Sequence, residues 1–146
     1  MKIGFATADQ LEALAELFDQ YRVFYGQSTD RSAAQAFLQA RLEKQDSKIF
    51  VAIENGEMAG FTQLYPSFSS VSMRPIWILN DLFVSPAFRR MGVAQQLMNS
   101  AANYARETSA IRLELATQIT NRSAQSLYES LGYVKDQEFY HYSLAL

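Results

Sequence analysis

A strand, a helix and a second strand in close succession constrain this chain more than any other feature. Ile76–Val84 is the most apolar strand-like run, and Ser85-Pro86 ends it. From Gly92 to about Glu107, Ala94, Leu97, Met98, Ala101, Ala102 and Tyr104 supply the apolar face of a long helix. Ile111–Ala116 then alternates, with Ile111, Leu113 and Leu115 on one face. Two strands of one sheet joined by a helix run parallel. A parallel pair leaves a crevice outside its carboxyl ends, where such sheets bind ligands.

The remaining elements fall around this unit. Lys2–Ala6 reads as a short strand, and Thr7 with Gln10 forms a capping-box signature. Leu11, Leu14, Leu17, Phe18 and Tyr21 predict a helix to about Tyr25, stopped at Gly26. A second helix carries Ala34, Phe37, Leu38 and Leu42. Ile49–Ile53 and Ala59–Tyr65 form a hairpin about Asn55-Gly56, a pair suited to a type I′ turn because both residues tolerate positive φ. Pro66–Pro75 is Ser-rich and reads as a loop, either a binding loop or a surface connection. Asn121–Leu131 is a short helix closed by Gly132, and Tyr133–Val134 and Phe139–Leu144 are expected to finish the sheet. The order β-α-α-β-β-β-α-β-α-β-β predicts an α/β (α+β) fold. A single domain over 1–146 would hold a mixed, mostly antiparallel central sheet flanked by helices.

Composition removes whole classes of chemistry. The 146 residues match one ordinary domain, and 49% apolar residues supply a core. A net charge of −2 argues against a nucleic-acid partner. No cysteine is present, so thiol nucleophiles and Cys-ligated metals are excluded, and a single histidine, His141, leaves no His cluster for a metal. No apolar run reaches the roughly 18–20 residues of a membrane span, and Met1-Lys2-Ile3 leads directly into structured-looking sequence. The expectation is a cytoplasmic protein without a membrane partner. The many aromatic residues suggest a homodimer.

Charge is concentrated where the central helix begins. Between Ser85 and Arg112 stand Arg89, Arg90, Arg106 and Arg112 against Glu107 alone. The run Arg89-Arg90-Met91-Gly92-Val93-Ala94-Gln95 joins a strand end to a helix N-terminus, whose first N–H groups have no intrahelical partner and carry partial positive charge. A pyrophosphate suits that position. The residues alone equally fit a structural glycine in a helix turn, a solvated arginine face, or a phosphate-ligand binder of another kind.

Arg-x-x-Gly-x-Ala at Arg89–Ala94, following Asn80-Asp81-Leu82-Phe83-Val84, resembles the acetyl-CoA-binding signature of the GNAT superfamily of N-acetyltransferases. Asn121-Arg122-Ser123-Ala124 through Tyr128 to Gly132-Tyr133 is similar to the family's second block, Asn-x-x-Ala-x-x-x-Tyr…Gly-Tyr/Phe, and the element order matches from end to end. Many members have Gly where Arg90 stands. The resemblance implies that acetyl-CoA, with no metal, is held by backbone N–H groups of Arg89, Arg90, Met91, Gly92, Val93, Ala94 and Gln95. Its pantetheine arm would run beside Leu82, Phe83 and Val84 between splayed parallel strands, with Asn121 and Ser123 nearby and an N–H near Phe83 or Val84 facing the thioester oxygen.

The resemblance also makes Tyr128 the candidate acid toward the leaving thiolate, and the same side chain could instead pack on the sheet. A base must take the amine proton. Asp81 is the candidate, with Glu114 and His141 weighed beside it. Alternation puts Asp81 and Asn80 on opposite faces unless a bulge intervenes. Tyr21, Arg22, Tyr25, Tyr65, Asn80 and Asp81 are expected to bind a small amine or amino-acid-like acceptor, the aromatic rings favouring a cation. Asn80 stands where the polyamine-acetylating branch has an acid, which tells against a polyamine. A peptide amine as acceptor and a non-catalytic acyl-CoA sensor, its pocket plugged by Tyr65, Phe68 or Tyr140, are the competing readings.

Overall fold

A computed structural model describes residues 1–146, and the chain forms two compact units, Met1–Ala116 and Thr117–Leu146. The first unit contains β1 (Lys2–Phe5), α1 (Leu11–Phe24), α2 (Arg31–Lys44), β2 (Lys48–Glu54), β3 (Glu57–Ser69), β4 (Arg74–Val84), α3 (Val93–Glu107) and β5 (Leu113–Glu114). Its sheet runs β1-β2-β3-β4-β5, antiparallel at every step but the last. β4 and β5 are the parallel pair, as the strand-helix-strand succession requires.

Side-chain alternation sends the two faces of the sheet to different helices. Ile49, Val51, Phe61 and Phe83 pack with Leu14, Leu17 and Phe18 of α1 and Leu38 of α2. Phe50 points the other way, stacking on Phe5 at 4.7 Å and meeting Tyr104 of α3 at 5.9 Å. Each such buried side chain stabilises by roughly 1.5–3 kcal/mol. The start of α3 lies closest to the sheet at Gly60. A Cβ there would stand 2.8 Å from the Phe83 carbonyl oxygen and 3.1 Å from Val93 Cγ1, so only glycine admits the helix.

Local signals hold where a residue type has one geometry to offer. Asn55 and Gly56 have φ of 52° and 80°, as a type I′ turn needs. Thr7 N–H donates to Gln10 Oε1 at 3.0 Å, completing its half of the capping box.

Three expectations are corrected. Pro66–Pro75 is not a loop: β3 and β4 run as a long hairpin, with Pro66 opposite Trp77 and Phe68 opposite Pro75. On the strand Pro66 and Phe68 face solvent while Ser67 and Ser69 point inward, and the turn, with Ser70 and Ser72, is confined to residues 70–73. β5 is only Leu113–Glu114, pairing with Trp77 and Ile78 of β4 and not with the rest of that strand. Tyr133–Val134 and Phe139–Leu144 form no strand. Their alternation is real, but a strand also needs a neighbouring backbone, and the second unit by itself supplies none.

The second unit contains α4 (Arg122–Ser130), capped where Asn121 Oδ1 accepts the Ala124 N–H at 3.1 Å.

Candidate active site

β4 changes character midway. Up to Ile78 it has β3 on one side and β5 on the other; from Leu79 to Val84 only β3 remains. One edge of Leu82, Phe83 and Val84 therefore carries backbone donors and acceptors with no strand to meet them. At the same level the β3 register shifts. Gln63 lies opposite Asp81 and Leu64 opposite Leu79, so Asn80 is the extra residue of a β-bulge. The bulge lets the two neighbours meet, Asn80 Nδ2 donating to Asp81 Oδ1 at 3.1 Å.

Asp81 is a buried carboxylate, 5% exposed, at the end of a buried polar chain. Ser47 Oγ donates to Gln63 Oε1 at 2.8 Å, and Gln63 Nε2 donates to Asp81 Oδ2 at 2.7 Å. The Tyr21 hydroxyl donates to the Asn80 carbonyl oxygen at 3.4 Å and feels the Asp81 charge beside it. A carboxylate has about four acceptor sites, so the donors Gln63 and Asn80 leave acceptor capacity free. Thr62 Oγ1, donating to the Asp81 carbonyl at 2.7 Å, fixes the backbone beneath.

The phenols around this carboxylate stay protonated. Burial, then the Asp81 charge, raises Tyr21 far above the ordinary phenol value. The same two causes push Tyr65 up to about 12. Tyr21 meets Tyr25, Phe61 and Phe83 edge-on at 5.1, 5.8 and 6.1 Å, which joins α1 to the open half of β4. Arg22 buries Nη1 without a hydrogen-bond partner and acts on Asp19, away from this group. Phe68 is exposed and Tyr140 is 91% exposed, so neither plugs a pocket.

Beyond Val84 the chain turns into α3 through two left-handed residues, Arg90 at φ 64° and Gly92 at φ 76°. That conformation explains the preference for glycine at the Arg90 position, since a side chain there costs roughly 1–2 kcal/mol. Gly92 has open space where a Cβ would stand. The first helical donor is Gln96, bonded to the Gly92 carbonyl at 3.1 Å, so the N–H groups of Val93, Ala94 and Gln95 lie ahead of it. Arg89 folds back, Nε donating to the Val84 carbonyl at 3.2 Å with its guanidinium 5.5 Å from the Phe83 ring. Met91 is exposed between them.

The structure thus brings together Tyr21, Tyr65, Asn80 and Asp81, and separately Phe83, Val84 and Arg89. Glu114 instead pairs with Arg112 at 2.6 Å on the surface, and His141 is exposed beside Asp136. Asn121, Ser123 and Tyr128 share α4 in the second unit, where the Tyr128 ring lies 6.1 Å from Tyr133. Sequence reasoning missed Gln63 and Ser47. The available signal was a Gln inside the apolar strand Phe61–Leu64, where a buried amide needs a polar partner.

Comparison with known proteins identifies the family. The family model for the GNAT acetyltransferase family matches residues 11–133. An N-acetyltransferase of Bacillus subtilis, named as uncharacterised, is 52% identical over 99% of this chain and 97% of its own. The thialysine N-epsilon-acetyltransferase of Caenorhabditis elegans is 29% identical over 88% of this chain and 79% of its own. A crystal structure of a probable acetyltransferase, 44% identical, superposes with a TM-score of 0.95 over 100% of this chain and 98% of that one. On these matches the chain belongs to the GNAT acetyltransferase family and is an acyltransferase.

Proposed function

We propose that this enzyme moves an acetyl group from acetyl-CoA to the primary amine of a small, amino-acid-like acceptor, by direct attack with both substrates bound. The observation that carries the reading is the half-open stretch Leu79–Val84 of β4, with the Asp81 carboxylate beside it and a left-handed turn at its end. The two compact units act, on this reading, as one catalytic domain over 1–146.

Acetyl-CoA suits the residues present. Leu82, Phe83 and Val84 offer a free backbone edge to the amides of the pantetheine arm, and the N–H groups from Arg89 through Gln95, with Arg90 and Gly92 left-handed, suit its diphosphate. When bound, acetyl-CoA supplies an acetyl group already activated as a thioester. Asp81 accepts the proton of the acceptor amine at a carboxylate oxygen, held in place by Gln63 and Asn80. Tyr128 donates its hydroxyl proton on the leaving-group side, while Asn121 and Ser123 at the head of α4 contact the cofactor arm.

Acceptor choice follows from the wall around Asp81. Tyr21, Tyr25 and Tyr65 present rings to a cation, and Asn80 keeps the wall neutral beside the one carboxylate. The relative named for thialysine supports the same class. A cytoplasmic setting and a homodimer complete the reading; no helix is long and apolar enough to cross a membrane.

The test is release of CoA thiol by the purified protein against amines, amino acids and peptides. Lysine-like amino acids are expected to give the fastest release, and Tyr128→Phe to lower kcat by about 10²-fold or more at unchanged cofactor affinity. Release with no acceptor in the panel contradicts the enzymatic reading of this pocket.

A further inference from the structure

We infer that Ser47 is a positioning residue for the reaction, fixing through its hydroxyl which end of the Gln63 amide the Asp81 carboxylate meets. The inference deepens the proposed function and rests on its reading of Asp81 as the base. Every group in it belongs to the first unit. Register places Gln63 opposite Asp81 on β4 and opposite Ile49 on β2. Ser47 stands just ahead of β2, two residues before Ile49, the spacing at which side chains share a face. The Gln63 side chain therefore bridges β2 to β4. Its Oε1 takes the Ser47 hydroxyl at 2.8 Å, and its Nε2 donates to Asp81 Oδ2 at 2.7 Å.

Orientation is what the chain of bonds controls. A carboxylate accepts and does not donate, so the end of Gln63 that meets it must be the NH2. The other end is a carbonyl oxygen on a side chain with no exposed surface, and the Ser47 hydroxyl is the donor that satisfies it. Turned by half a revolution, the amide would set its oxygen against Asp81 and favour the protonated acid, which cannot serve as a base. Asn80 Nδ2 holds Oδ1 at 3.1 Å, so each carboxylate oxygen carries one amide donor. A pair kept for packing alone gains little from being polar, because two apolar residues of the same shape would do as well. This pair ends on the one carboxylate the reaction needs ionised. Other ionisable groups face it too: Tyr21 from α1, with Tyr25 behind it, and Tyr65 from β3. Arg41 in the last turn of α2 and Asp46, paired at 2.7 Å, act on Tyr65 in opposite senses. Tyr21 and Tyr65 are both held above the ordinary phenol value, so neither titrates where a carboxylate does.

The experiment reads kcat/KM against pH for the full chain with acetyl-CoA and L-lysine. Beside it runs a carboxyl-carbon NMR titration of Asp81, the resonance assigned by its loss in Asp81→Asn. Gln63→Glu sets two carboxyl groups at one place, so the acidic limb and the Asp81 resonance should both move up by about one pH unit or more. Ser47→Ala frees the amide to turn and should move both up by about half a unit, roughly threefold in proton affinity. Ser47→Thr keeps the hydroxyl and should restore the parent profile. A merely structural Ser47 would lower the thermal midpoint and leave the limb in place, and that result in folded Ser47→Ala overturns the inference. Where a variant does not fold, the parent chain answers: the side-chain amide protons of Gln63 should shift along the Asp81 titration, and protons indifferent to it overturn the inference. Full turnover in Asp81→Asn removes the base and nothing more. The Asp81 resonance then decides, since a shift in Ser47→Ala upholds the positioning role and an unmoved resonance overturns it as well.

Discussion

The two halves of β4 look alike in sequence and do opposite work. In Arg74–Ile78 both edges are paired, and Trp77 Nε1 donates to Thr108 Oγ1 at 2.9 Å, tying the strand to the end of α3. In Leu79–Val84 one edge is open, a bulge swings Asn80 out of register, and Asp81 is buried among polar donors. The difference teaches that a sheet makes a site where it stops pairing: the unpaired backbone is what a ligand can use, and the bulge aims the carboxylate.

The comparison breaks most visibly at Asp81. Asp81→Asn keeps the shape, removes the proton acceptor and sets an amide NH2 against one of the donors Gln63 Nε2 and Asn80 Nδ2, so kcat should fall about 10²–10⁴-fold and stability by about 1–3 kcal/mol. A variant at full turnover would move the base elsewhere. Gly60→Ala strikes the same half from behind, since the new methyl meets the Phe83 carbonyl at 2.8 Å. It should cost about 1–3 kcal/mol in denaturant titrations and weaken acetyl-CoA binding, because α3 must lift. Trp77→Phe probes the closed half. Losing the indole hydrogen bond should cost about 1 kcal/mol of stability and leave kcat unchanged.

The smallest effect is a pH slope. Tyr65 is raised by burial and by Asp81 to about 12, above the ordinary phenol value of 10.0. Its contribution to stability is complete below pH 10 and is lost as pH rises toward 12, because the unfolded chain ionises first. Tyr65→Phe should therefore flatten the fall in unfolding free energy between pH 9 and 11, read by urea titration at each pH.

What the sequence disclosed follows the same division. Gly92 and Asn55-Gly56 were legible because few residues tolerate positive φ, and their angles match. The parallel pair was legible from the intervening helix. The meeting of Asn80 with Asp81 was not, because a bulge is a property of register between two strands, and strict alternation puts the two apart. Gln63 and Ser47 escaped for a related reason: each is unremarkable until the hairpin sets Gln63 opposite Asp81. Residues 139–144 failed in the other direction. Alternation announced a strand, and within the second unit no strand pairs there.

Amide hydrogen exchange with and without acetyl-CoA tests the central claim most directly. The account predicts that peptides covering Leu79–Val84 and Arg89–Gln95 slow together when acetyl-CoA is added, while Arg74–Ile78, already paired on both edges, keeps its rate. Unchanged exchange across Leu79–Val84 at saturating acetyl-CoA would contradict it.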